Sequence, residues 1–585
     1  MPSCTRTGSR PTTKPEPVAD SGKIVLPEER PVNTTPTLSI GAYLIDALRA
    51  RGVDHVFGVP GDFILGLYVI GSERGMQMVN STREEAATYA ADGYAREKGL
   101  GAVAVTYGVG ILGTMAALGG ANAEGTPVVV IGGAPGMSER DGRHIHHAPC
   151  LNMDAPRLMM EHITAHSVLL DDPDVAFDQI DWVLDTCARD LRPGYIELPR
   201  DMIEAVPTHG DRVVPRPLST PVPIERIRAA VNDAAAVITA AQRPVLWTGR
   251  GVRTLNFGQR LLAFAERTNI PIVESVMGKG AVNESHPLVL GVYSGSGTPA
   301  ALREFVESSD LVIEVGVDLN DIVTGGFSTH IADDRSIHIG VEGTRVFQRS
   351  YPGVSLALFG PTLEATMAGP LPIPRRDHAD NLPTAWVGTV DVGGRITTEI
   401  VADRLGRFVQ PSDSVVSDVG VAAHLAMDTR FNRAGQFHIA RLYVGMGFAV
   451  PVATGVQLAR GTGRAIVLVG DGSFQMTGFD LSTAVREGLT PIVLVLDNHG
   501  YGAERSIADG PFNEVAVWDY AAVGAVVGAK GTRVRTPTEL DAALAAARED
   551  EAHAHIIQVD LDRYDTPRAL KALGEALAEM MKASS

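Results

Sequence analysis

Two apolar runs that each end in a polar, glycine-bearing tip constrain this chain more than any other feature. Ile466-Val-Leu-Val469 runs into Gly470-Asp-Gly-Ser473; after a helical stretch around Leu481 to Arg486, Pro491 to Leu496 runs into Asp497-Asn-His-Gly-Tyr501. Short apolar runs with a helix between them read as strands buried on both faces, the pattern of a parallel α/β sheet. Both tips then emerge at the carboxyl ends of strands, where open α/β sheets bind ligands.

The same rhythm fills the rest of the chain. From Ser39 to about Pro199, helical runs such as Gly41 to Arg51 alternate with strands at His55 to Val59, Ala102 to Thr106, Pro127 to Gly132 and Gly194 to Leu198. A Pro-rich break from Pro207 to Pro223 precedes a second block, with strands at Arg243 to Thr248, Ile270 to Glu274, Leu311 to Val315 and Ser336 to Gly340. A looser stretch, about Gly369 to Pro383, leads to a third block, whose outer strands are Asp413 to Ser417 and His555 to Val559. A chain of 585 residues exceeds one core, and roughly 150 residues per domain predicts about three or four. The expected fold class is α/β: three consecutive doubly wound domains with mainly parallel sheets, over residues 37–205, 220–370 and 390–563. A flexible extension over 1–36 and a C-terminal helix over 564–585 complete the layout. The first and third blocks could share a fold, although no sequence repeat shows it.

Composition removes several function classes. A formal net charge of -18 without a dense Lys/Arg stripe repels phosphate backbones, so nucleic acid is not an expected partner. Three cysteines, Cys4, Cys150 and Cys187, with no paired spacing argue against a disulfide framework or a cysteine zinc site. The N-terminus lacks the apolar core of a signal peptide, and a cytoplasmic location is expected. The uncharged stretch from Leu100 to Ala123 is punctuated by glycines and reads as strand, turn and helix, so no membrane span is expected. Within it, Gly108-Val-Gly-Ile-Leu-Gly113 satisfies the dinucleotide pattern, but a lone match is weak and nicotinamide binding is rejected.

The tips themselves carry chemistry. A carboxylate from Asp471, an amide oxygen from Asn498 and a backbone carbonyl near Gly500 are the hard oxygen donors that Mg2+ accepts beside phosphate oxygens. Backbone N–H groups at Gly472 and Ser473, opening a helix, can hold the anion. Each tip alone is also ordinary turn chemistry.

The pair, Gly470-Asp471-Gly472 followed after one helix and one strand by Asn498, resembles the thiamine diphosphate motif. The family has Asn where Asp497 stands; its metal ligand is the second residue, here Asn498. The region from about Leu38 to Asp562 is similar to 2-keto acid decarboxylases of the pyruvate, phenylpyruvate and indolepyruvate type. The segments that carry this are Phe57-Gly-Val-Pro-Gly-Asp62, Arg83-Glu84-Glu85 before Tyr89-Ala-Ala-Asp-Gly-Tyr-Ala-Arg96, and His146-His147. The resemblance implies two thiamine-diphosphate-binding domains around a Rossmann-like middle domain. It implies thiamine diphosphate and Mg2+ as cofactors, and non-oxidative decarboxylation of a small-molecule 2-keto acid to an aldehyde and carbon dioxide through a thiamine-bound enamine.

The same resemblance places the site residues. Glu84 is the carboxylate beside the aminopyrimidine, where it shares a proton with a ring nitrogen. Asp62, His146, His147 and Glu504 are the acids that protonate the enamine. Gly420 contacts the aminopyrimidine, and Met446, in Gly445-Met-Gly-Phe448, bends the coenzyme from below. Without its flanking motifs, the histidine cluster would read as an exposed patch or a weak metal site. Ile322, Val323, Ala423, His424 and Ala503 fall at pocket positions. The small Ala423 and Ala503 imply keto acids bulkier than pyruvate, aromatic or branched, and His424 implies a polar substituent. The family's sites lie between subunits, implying a homodimer or homotetramer. Two alternatives remain: a carboligase or acetolactate-synthase-like enzyme, and a catalytically silent cofactor-binding homologue.

Overall fold

Three sheets organise residues 38–140, 145–208, 221–367 and 394–574, the part of the chain that the computed structural model describes. The expected N-terminal extension, most of both interdomain breaks and residues 575–585 of the C-terminal helix lie outside it, while 568–574 are helical.

In the first sheet the order is Gln77–Asn80, His55–Val59, Gly101–Val105, Val128–Ala134, Gly194–Pro199, His166–Leu169, all parallel. In the third it is Phe437–His438, Ser414–Ser417, Ala465–Gly470, Ile492–Asp497, His555–Asp560, Lys530–Val534, again all parallel. Counted from the first strand of each, both orders read 2-1-3-4-6-5. The outer domains are therefore two copies of one topology. The middle sheet reads 3-2-1-4-5-6-7, a Rossmann-type order whose last two strands, Gly343–Val346 and Arg349–Pro352, add antiparallel at the edge.

The central strands are fully buried, as their apolar runs require. Leu100 to Ala123 divides into the strand Gly101–Val105 and the helices Val109–Gly113 and Met115–Glu124. Among the described residues no helix is long and apolar enough to cross a membrane.

The outer domains are joined by the helix Glu84–Lys98 lying against Ala449–Arg460. A Cβ at Gly93 would stand 2.4 Å from the Val452 carbonyl oxygen, and one at Gly455 1.8 Å from that of Ala90, so the two backbones touch where only glycine allows it. Asp480 adds a polar tie, accepting the Thr82 N–H at 2.9 Å and its hydroxyl at 3.0 Å. The middle sheet shares one apolar cluster with the third, Val245 and Trp247 joining Val415, Ile466 and Leu494. Both strand-end tips of the third domain are thus carried on a framework anchored on two sides.

Candidate active site

Strand Ala465–Gly470 passes directly into the helix Asp471–Thr477, which makes Asp471 the first helical residue and leaves it 1% exposed. Its Oδ1 accepts the Gly472 N–H at 2.7 Å and its Oδ2 the Gly500 N–H at 2.8 Å, so one carboxylate ties the two strand ends together. Gly500 makes this contact at φ +129°, with the Asn513 carbonyl 2.0 Å from where a Cβ would stand. Arg505 fixes the turn by donating to the carbonyls of Asn498 and His499. Asp497, at the position where the resemblance expects Asn, is absorbed by its neighbours: it accepts Gln558 Nε2 at 2.7 Å, and His499 Nδ1 lies 3.3 Å away.

The electrostatics of this turn ask for a cation. Burial lifts the Asp471 carboxyl to about 7, outweighing its two N–H donors, and the nearby Asp497 charge adds to the lift. No Lys, Arg or His forms an ion pair with Asp471 among the described residues. A buried carboxylate on which only the Arg505 charge acts, without an ion pair, is costly, and a divalent ion removes that cost. Asn498 is 3% exposed and its Nδ2 has no partner among the described residues; a half-turn of the amide offers its oxygen instead. Carboxylate, amide oxygen and the Gly500 carbonyl are a donor set that fits Mg2+. Gly472 has its N–H engaged by Asp471, and Ser473 lies buried in the first turn of the same helix.

Asp418 is a residue that motif reading passed over. It follows the strand Ser414–Ser417, is fully buried, and accepts the N–H groups of Val419 and Ala449 at 3.0 Å and of Gly447 at 3.3 Å. One carboxylate therefore positions both the Gly420 turn, at φ +71°, and the Gly445–Phe448 segment that presents Met446. Met446 is half-exposed although apolar. The available sequence signal was an acid between a buried strand and a glycine.

The first domain holds a second group. Glu84 opens the helix Glu84–Lys98, and the Gly-rich turn lies against it: a Cβ at Gly113 would be 3.0 Å from the Glu84 Cβ and 3.2 Å from its Oε2. The dinucleotide-like pattern is thus explained by the room a carboxylate needs. His146 donates from Nε2 to Asp62 Oδ2 at 2.8 Å, His147 Nε2 is 3.7 Å from Asp62 Oδ1, and the Phe63 ring stacks on His146. His147 holds a left-handed backbone, φ +67°. His144 lies outside the described residues. No hydrogen bond, ion pair or ring contact joins Asp62, His146, His147 or Glu84 to Asp471, Asn498 or Glu504 among the described residues. Glu504 sits on the short helix Gly502–Arg505 beside the turn.

A cavity of about 110 Å³ opens beside Gly420 and Ala503. Ile322, His424, Val419, Arg441 and Val444 line it, and Leu570, Leu573 and Gly574 close one wall. Of the five pocket positions, Ile322, His424 and Ala503 face this space, while Val323 and Ala423 are packed in the apolar cluster behind it. His424 Nδ1–H donates to the Gly420 carbonyl at 2.9 Å, leaving Nε2 to accept from Arg441 at 3.1 Å. Burial, reinforced by Arg441, holds this imidazole neutral, its pKa pushed down to about 3.

A sheet of this topology that ends in a cation-demanding acid, with an apolar prop and a carboxylate-bearing helix supplied by its sister domain, defines the class: a thiamine-diphosphate-binding enzyme. The comparisons agree domain by domain. Residues 38–155 match the thiamine pyrophosphate enzyme N-terminal TPP binding domain, 231–365 the central domain and 418–559 the C-terminal TPP binding domain. Similar proteins include an alpha-keto-acid decarboxylase of Mycolicibacterium paratuberculosis, 31% identical over 92% of this chain and 97% of that protein. A pyruvate decarboxylase of Aspergillus fumigatus is 33% identical, covering 93% and 98%, and an indole-3-pyruvate decarboxylase of Azospirillum brasilense is 31% identical, covering 90% and 96%. The chain belongs to the thiamine-diphosphate-dependent 2-keto acid decarboxylase family.

Proposed function

We propose that the protein converts a 2-keto acid bulkier than pyruvate, aromatic or branched, into an aldehyde and carbon dioxide. Its site is shared between the first domain of one copy and the third domain of another, in a homodimer or a larger homo-oligomer. Thiamine diphosphate, held with Mg2+ by Asp471, Asn498 and the Gly500 carbonyl, supplies the carbon nucleophile and the electron sink. Glu84 shares a proton with the coenzyme's ring nitrogen. Met446 and Gly420 hold the coenzyme's shape, and Asp418 holds them. Asp62, His146, His147 and Glu504 pass a proton to the substrate carbon that carbon dioxide has left.

The observation that carries this reading is the Asp62 carboxylate bracketed by two adjacent imidazoles on an open surface, with Phe63 stacked behind. A purely structural ion pair gains little at such exposure, whereas a proton relay needs that access. The test is a keto-acid panel with coupled aldehyde detection, with and without thiamine diphosphate and Mg2+, on wild type and Glu84→Gln. Turnover that requires both additions and vanishes in the variant supports the reading; equal activity in both proteins ends it.

A further inference from the structure

Arg441 is 5% exposed, and it forms no ion pair among the described residues. Its one hydrogen bond there goes from Nη2 to the neutral His424, and Nη1 has no partner. Glu124, the acid whose charge reaches it, makes no ion pair with it among the described residues and accepts the N–H groups of Leu442 at 2.6 Å and Tyr443 at 3.1 Å on its Oε1. A buried guanidinium is ordinarily paired or fully hydrogen-bonded, because its five donors are expensive to strand. This one lines the cavity beside Gly420 and Ala503, and with Arg568 it also lines the adjoining space beyond Ile322 and His424. The remaining walls near the coenzyme face are apolar: Ile322, Val419, Val444, Ile507, Leu570 and Leu573. An apolar channel ending in an unsatisfied cation is the complement of a molecule with an apolar stem and an anionic tip.

We propose that Arg441, aligned by His424, recognises a terminal carboxylate on the substrate, so that the preferred substrates are 2-keto acids carrying a second carboxylate at the far end of an apolar stem. This deepens the decarboxylase reading and rests on it. The second carboxylate takes no part in bond making: the C1–C2 bond breaks, carbon dioxide leaves, the electron pair stays with C2 and one proton is added there, giving the aldehyde that still bears the distal carboxylate. His424 matters as an acceptor. Its Nδ1–H is committed to Gly420, so Nε2 takes one arm of the guanidinium and leaves the other to the ligand.

The test uses the full-length protein loaded with thiamine diphosphate and Mg2+ and matched keto-acid pairs: 2-oxohexanedioate against 2-oxohexanoate, and 4-carboxyphenylpyruvate against phenylpyruvate. Wild type is expected to favour the carboxylate-tipped member by about 10- to 100-fold in kcat/KM, the range of one charge-assisted hydrogen-bonded contact. Arg441→Met is expected to collapse that ratio to near one, with Arg441→Lys between them. If the Met variant does not fold, the Lys variant reads the same ratio. A second readout needs no turnover: calorimetry with hexanoate against the uncharged hexanamide, on protein without coenzyme, should show binding of hexanoate alone, lost in Arg441→Met. A wild-type ratio at or below one, or a ratio unmoved by substituting Arg441, overturns the proposal while the decarboxylase reading stands. If no keto acid of either series gives aldehyde, that reading falls and takes this one with it.

Discussion

Replacing Asp418 with Asn keeps its volume and tests whether one buried carboxylate sets the coenzyme support. Asp418 accepts Val419 and Gly447 on Oδ1 and Ala449 on Oδ2. Asn must turn its NH2 towards one of these sides. The cheaper choice faces Ala449, because it strands one N–H where the other would strand two. That loss costs about 2 kcal/mol, and weakening the bonds from Val419 and Gly447 from ionic to neutral adds about 1 kcal/mol each, roughly 4 kcal/mol in all. The Gly445–Phe448 segment carries a half-exposed Met446 and can relax to recover about half of this. Thiamine diphosphate must then restore the segment when it binds, at about 2 kcal/mol or roughly 30-fold in Kd. Calorimetric titration of Asp418→Asn with thiamine diphosphate in excess Mg2+ reads this directly, with Asp62→Asn as a control expected to bind normally. An Asp418→Asn protein that binds within threefold of wild type and melts at the same temperature refutes the argument that Asp418 positions the segment.

The other expectations concern assembly, metal and pH. Glu84→Gln and Asp471→Ala should each be inactive alone. Subunit exchange between them should restore about a quarter of wild-type activity, because half the dimers are mixed and each has one intact site; no recovery after verified exchange would place the whole site in one chain. Chelation of divalent ions should abolish thiamine diphosphate binding by wild type, with Mg2+ restoring it, while Asn498→Ala should stay weak at any Mg2+ concentration in titrations. Burial, with neighbouring arginines, holds His424 at about 3 and His438 at about 4, below the ordinary 6.5. The unfolded chain therefore takes up protons that the folded one refuses. Their contribution is complete above pH 6.5 and is lost as pH falls towards about 4 for His438 and about 3 for His424. The melting temperature should drop over that window and drop less in His424→Phe; identical profiles would count against a buried neutral His424.

Where burial on both faces demanded an unbroken apolar run, the chain announced its own elements: His55–Val59 and Leu311–Val315 lie where their composition places them. The edges were silent. Lys530–Val534 exposes four of its five residues, and Phe437–His438 is only two residues long, so neither carries a pattern long enough to read. The twofold use of one strand order was also hidden, since topology constrains where apolar residues recur and not which ones they are.

The candidate site divides the same way. Asp471 and Asn498 were legible because a tip at a strand end is a local pattern of a few residues. Asp418, meeting Gly447 and Ala449 some thirty positions away, and Arg441, buried without a counter-ion among the described residues, were not. The sequence alone determined the α/β class and the resemblance to thiamine-diphosphate enzymes, and it marked two strand-end tips as the candidate cradle. The tertiary structure decided which acids position the others, how the Gly-rich turn makes room for Glu84, and where a buried charge has no ion pair among the described residues. The reason is physical: strand and helix periodicity and turn chemistry act over a few neighbours along the chain, whereas burial and pairing of charge depend on distances that exist only once distant segments have packed.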